Sequence, residues 1–153
     1  MVDAGKRAYF DTSIVAPLYR NEILSAVAES LQQQWVPVIS LLTEVELHST
    51  VARWVRTSEL SDQHAGEIEQ AFAEDLRLNV FERADLEDRH YWQARSWLQK
   101  RNTNLRTLDS LHLACAADNS LPIITADQKL YNAARTFKVK THLAQPNPTT
   151  LEP

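Results

Sequence analysis

The sequence predicts an α/β fold with a mostly parallel sheet covered by helices on both faces. Three observations lead there. Five short β-prone segments alternate with longer helical stretches, the pattern of βαβ units. A chain of 153 residues and 17.5 kDa buries about 69% of its unfolded surface by area scaling, enough for a core without staples. A hydrophobic fraction of 44% supplies that core.

The elements follow in order. Arg7–Phe10 is the first strand, ending in the β-prone pair Tyr9-Phe10, and Ile14–Gln33 forms one or two helices. Val36–Ser40 is the second strand and Leu41–Arg56 the helix after it. Ser61–Leu78 and Ala84–Lys100 read as a helical-pair insertion around a very short strand, Val80–Phe81. Trp92 and Trp97 in the second of these helices are expected to pack. Leu108–Asn119, the strand Pro122–Thr125, the helix Gln128–Phe137 and a last strand Lys138–Thr141 complete the set. Residues 1–145 are expected to form the domain. Residues 146–153 hold Pro146, Pro148 and Pro153 and are expected to form an extended or frayed tail.

Composition removes several function classes. Only Gly5 and Gly66 occur, so no glycine-rich phosphate loop is possible. Cys115 stands alone, which excludes an internal disulfide and a cysteine zinc site and suits a core filler. The longest wholly apolar run, Leu113–Ala117, is five residues, and no apolar signal stretch opens the chain. The expected location is the cytoplasm, with no membrane association. A net charge of −4 is wrong for a basic nucleic-acid coat but compatible with a nucleic-acid enzyme bearing a local basic patch.

The chemistry lies in carboxylates. Asp11 follows the first strand, Asp127 follows Pro122–Thr125, and Asp109 sits in the first turn of the helix from Leu108. Any one of them alone is explained as a helix cap favoured by the N-terminal dipole. Together they differ, because strand-to-helix turns of a parallel sheet gather on its carboxyl edge. At ~6 Å and an effective dielectric of ~20, each like-charge pair costs roughly 2.8 kcal/mol, so four ionised carboxylates with six pairs cost about 17 kcal/mol. Raised pKa values or a divalent cation must relieve that. All-oxygen donors suit Mg²⁺ or Mn²⁺. The fourth carboxylate is Glu44 or Glu46. A helical wheel centres the apolar arc near Leu41, Val45 and Ala52 and slightly favours Glu44 as the inward one.

These blocks resemble the PIN-domain ribonucleases, above all the VapC-type toxins of bacterial toxin–antitoxin pairs. Phe10-Asp11-Thr12-Ser13 resembles the opening strand and first acidic residue. Ser40-Leu41-Leu42-Thr43-Glu44-Val45-Glu46-Leu47 resembles the second block, Leu108-Asp109-Ser110-Leu111-His112-Leu113-Ala114 the third, and Thr125-Ala126-Asp127-Gln128-Lys129-Leu130 the fourth. The likeness runs from Tyr9 to about Thr141. Its spacing selects Glu46, three residues after Thr43, against the wheel. It implies an α/β/α sandwich, Mg²⁺-dependent cleavage of RNA to 5′-phosphate and 3′-hydroxyl ends, a homodimer, and a cognate small antitoxin.

On that resemblance Asp11, Glu46, Asp109 and Asp127 hold the metal and activate water. Thr12, Ser13 and Thr125 are expected to orient the carboxylates, or simply to cap helices. His112, on one helical face with Asp109, reads as a buried histidine bonded to a carboxylate or to backbone, with metal or acid–base work as the alternative. Phosphate contact falls to a few of Arg53, Arg56, Lys100, Arg101, Arg106 and Lys129, with Arg106 and Lys129 placed nearest the acidic blocks. Leu18, Tyr19, Trp35 and Trp54 are assigned to core packing ahead of a partner surface. Three rivals stand: a non-toxin RNA-processing nuclease of the same family, a catalytically silent binding module of the same architecture, and a haloacid-dehalogenase-like phosphatase. The last needs an acid where Ser13 stands.

Overall fold

The computed structural model describes residues 5–146. The proposed proline-rich tail lies outside them from position 147 onward. Five parallel strands form one sheet: β1 (Arg7–Phe10), β2 (Val36–Ile39), β3 (Glu82–Arg83), β4 (Ile123–Thr125) and β5 (Thr141–Leu143), in spatial order β3-β2-β1-β4-β5. Among the described residues seven helices accompany them: α1 (Thr12–Val15), α2 (Ser25–Gln34), α3 (Leu41–Arg56), α4 (Asp62–Arg77), α5 (Asp88–Gln99), α6 (Thr107–Asp118) and α7 (Gln128–Thr136). The expected single or double helix over 14–33 resolves into α1, a tight turn at Ala16–Leu18 carrying Pro17, and α2.

Strand alternation sorts the core into two layers. Ala8, Phe10, Ile39 and Ile124 face α2, α3 and α4, while Tyr9, Val38 and Ile123 face α5, α6 and α7. The result is the α/β/α sandwich. α4 and α5 therefore lie on opposite faces, with β3 between them in sequence. α6 is buried from Ser110 to Ala116 on every side, as a helix jammed between sheet and α5 must be. Cys115 lies fully buried within it, and burial lifts its thiol to about 11, which suits packing and not reactivity. Pro37 sits inside β2 without penalty. Val36 N–H already reaches back to Lys6, so the missing Pro37 donor points towards β3, which is too short to need it.

Two strands start later than expected. Val80–Phe81 is not β3; Glu82–Arg83 is, because the N–H of Val80 bonds back to Asp75 and closes α4, and Phe81 sinks into the core. Lys138–Thr141 is likewise not β5, since the N–H of Val139 bonds back to Ala134 and closes α7. Both closures need a left-handed residue, and Asn79 and Lys138 supply it at φ 56° and 57°. Trp97 packs in the core, stacked on Phe137, but Trp92 is 61% exposed and does not pack. Trp54 is buried, and Leu18, Tyr19 and Trp35 pack half-buried against the same core. No helix among the described residues is long and apolar enough to cross a membrane.

Candidate functional site

The sheet has one switch point. From β1 the chain moves outward through β2 to β3, then returns to the other side of β1 as β4 and β5. Neighbouring strands whose connections leave in opposite directions open a crevice at their carboxyl ends. There lies a cavity of about 550 Å³, and Asp11, Glu46, Asp109 and Asp127 all line it.

Asp11 follows β1 and is only 4% exposed. Ser13 Oγ donates to its Oδ1 at 2.5 Å and Thr125 Oγ1 to its Oδ2 at 2.9 Å. Those hydroxyls are themselves fixed by backbone: Ala126 N–H donates to Ser13 Oγ at 2.9 Å, and Asp127 N–H to Thr125 Oγ1 at 3.0 Å. Burial drives the Asp11 carboxyl up to about 6; the two hydroxyls and His112 pull the other way, and Asp109 adds to the rise. Asp109, in the first turn of α6, is also raised, first by burial and then by Asp127, with Glu46 contributing and His112 and Arg106 opposing. Asp127 caps α7, accepting from Lys129 N–H at 2.8 Å and Leu130 N–H at 3.4 Å.

Glu46 reaches the cavity from the second turn of α3. Its Oε1 accepts from Thr12 Oγ1 at 3.0 Å and from His112 Nε2. Glu44 is drawn away by Arg83, whose guanidinium grips it at 2.9 Å. The wheel that favoured Glu44 assumed the wrong arc. Leu41 and Val45 are 60% and 67% exposed and Ala52 is exposed, whereas Thr43, Leu47, Val51 and Trp54 are the buried positions of α3.

Three polar residues escaped notice in the sequence. Tyr9, Ser40 and Thr43 are fully buried behind Glu46 and bonded to one another and to His112. The one legible signal was the spacing of Ser40 and Thr43 around a helix start, the mark of a capping pair, with Ser40 N–H donating to Thr43 Oγ1. Among basic residues Arg53 lines the cavity, beside Ser49, Thr50 and Trp54, and Arg106 and Lys129 do not. Arg106 stands just before α6 and acts on Asp109 through its charge alone.

The donor chemistry suits a hard dication. All four side chains offer oxygen only, Asp11 is buried, and among the described residues neither it nor Asp109 nor Asp127 forms an ion pair with Lys, Arg or His. The four share a cavity and not a point: among the described residues no three acidic, histidine or cysteine side chains stand close enough to grip one ion as they lie. The convergence expected from the sequence is thus looser than a formed coordination shell.

Fold and cavity together define an α/β/α protein with an acidic crevice at the switch point of a parallel sheet. The PIN domain model matches residues 8–136, and the chain belongs to the PIN domain family. The sandwich is shared with a toxin–antitoxin complex from Klebsiella pneumoniae (TM-score 0.66, 19% identity, covering 92% of this chain and 99% of that one). It is shared with FitAcB from Neisseria gonorrhoeae (TM-score 0.61, 22% identity, 88% and 95%). Mycobacterium tuberculosis VapC20, a toxin that cleaves the sarcin–ricin loop, is similar too (TM-score 0.64, 17% identity, 82% and 94%). No curated protein sequence matches the chain.

Proposed function

We propose that this chain is a divalent-metal-dependent endoribonuclease of the VapC kind, acting in the cytoplasm as the toxin of a pair with a small antitoxin, and as a homodimer. The observation that carries the proposal is the meeting of Asp11, Glu46, Asp109 and Asp127 in one cavity at the sheet's switch point, in a PIN-family chain. Fold neighbours described as toxins or toxin–antitoxin complexes support the partner class.

Asp11, Glu46, Asp109 and Asp127 would hold Mg²⁺, or Mn²⁺ in its place. When bound, the metal supplies a water of lowered pKa and positive charge beside the scissile phosphate oxygens. The chain's own residues do the rest. Ser13 and Thr125 fix both oxygens of Asp11, and Thr12 and His112 fix Glu46. Asp127 is oriented by the first N–H groups of α7. Arg53 offers a cation on the cavity wall for an incoming phosphate.

The looseness of the four carboxylates favours a second reading, a binding module that uses the acidic crevice without turnover. One assay separates the two. Cleavage of mixed RNA should need Mg²⁺ or Mn²⁺ and stop on chelation. Asp109→Asn should lower it by about 10²-fold, the rate equivalent of nearly 3 kcal/mol. Undiminished cleavage by that variant would overturn the assignment, and no cleavage by the wild type would leave the binding module.

A further inference from the structure

His112 is 1% exposed, yet both its ring nitrogens are engaged. Nε2 meets Glu46 Oε1, and Nδ1 lies 2.6 Å from Tyr9 Oη. Tyr9 Oη in turn lies 2.8 Å from Ser40 Oγ and 3.4 Å from Thr43 Oγ1. An ionised carboxylate only accepts, so the hydrogen in the first bond belongs to Nε2. With its hydrogen on Nε2, the neutral ring leaves Nδ1 to accept from the Tyr9 O–H. The network draws on β1, the end of β2, α3 and α6. Apolar side chains could fill this volume without any partner, whereas buried polar groups demand complete satisfaction. Tyr9, Ser40, Thr43 and His112 are all buried, and from His112 the chain of bonds opens to the cavity at the Glu46 carboxylate.

Glu46 is also bonded unevenly. Its Oε1 takes two donors, Thr12 Oγ1 at 3.0 Å and His112 Nε2, while Oε2 takes none among the described residues. We propose that His112, held in register by Tyr9, is a positioning residue that saturates one oxygen of Glu46 and so presents the other to a divalent cation in the cavity. This rests on the metal-dependent reading above. Outer hydrogen-bond partners of this sort are worth ~10–100-fold in metal affinity.

The test is Mn²⁺ binding, measured by titration calorimetry with Mn²⁺ alone. In His112→Gln the amide nitrogen reaches where Nε2 stood and can still donate to Glu46. In His112→Asn it reaches only as far as Nδ1 and can serve Tyr9 but not Glu46. Binding by the Gln variant should stay close to wild type, and the Asn variant should weaken it by ~10–100-fold. Tyr9→Phe removes the phenol and keeps the ring, and should weaken binding in the same direction by a smaller factor; it carries the test should the Asn variant fail to fold. A merely structural histidine would weaken Mn²⁺ binding equally in the Gln and Asn variants, in step with their melting temperatures, and that result overturns the proposal. So does unchanged binding by His112→Asn or by a folded Tyr9→Phe. Glu46→Gln separates the two levels. If it weakens Mn²⁺ binding while His112→Asn does not, positioning alone falls. If it binds as wild type does, or wild type binds no Mn²⁺, the metal reading falls with it.

Discussion

Asp11 and Asp127 hold the same place twice over. Each follows one of two adjacent parallel strands, each precedes a helix, and each lines the cavity. They spend their carboxylates differently. Asp127 turns back on its own helix and accepts two of its first N–H groups. Asp11 makes no side-chain cap at all; hydroxyls from Ser13 and Thr125 hold it, and burial lifts its carboxyl to about 6. Helix-start chemistry therefore accounts for Asp127 and fails for Asp11. An aspartate that caps stabilises the fold. One that is buried, ionised and without a cation partner costs stability, which is the mark of a residue kept for something other than folding.

Substitution at Asp11 should break the contrast most forcefully. Asp11→Asn should cut metal-dependent RNA cleavage by about 10³-fold, the rate equivalent of about 4 kcal/mol, with the circular dichroism spectrum unchanged. A loss no larger than that of Asp127→Asn would erase the distinction.

A titration sharpens it. Between the ordinary 3.8 and about 6, folded Asp11 keeps a proton that the unfolded chain has released. Its contribution to stability therefore falls as pH rises through that window, by about 3 kcal/mol in total, and stays low above it. In metal-free buffer the melting temperature of Asp11→Asn should overtake that of wild type progressively from pH 4 to pH 7. A constant difference across the series would mean that Asp11 is not desolvated.

The smallest effect belongs to the cap. Asp127→Ala should cost about 1 kcal/mol in urea unfolding while Asp127→Asn, which can still accept from Lys129 and Leu130, should cost almost nothing. Equal losses would mean that its charge and not its cap bonds supports α7.

The sequence made β1, β2, α3 and β4 legible through short apolar runs, and the acidic blocks legible through their place after strands. It also placed the C-terminal ends of α3, α4, α5, α6 and α7 to within one residue, but not the left-handed closures that follow them. Left-handed closures normally announce themselves with glycine. This chain has only two glycines and closes α3, α4, α5, α6 and α7 on Ser58, Asn79, Arg101, Ser120 and Lys138. The apolar residues that follow Asn79 and Lys138 looked like strand starts but are consumed in ending helices. Within the site, the direction of Glu46 was open because a wheel assumes that the most apolar arc is buried. Thr43 is buried instead, bonded to Tyr9 and Ser40, and Glu46, three residues on, shares its side of α3. A polar group buried by its partners leaves no trace in hydropathy.

The bond from Thr125 to Asp11 spans 114 positions, and the one from Tyr9 to His112 spans 103. Residues emerging early from the ribosome are thus useless for chemistry until β4, almost the last strand made, slides in beside β1. A chain that stops anywhere before Thr125 lacks the hydroxyl that holds Asp11 and carries an unfinished crevice.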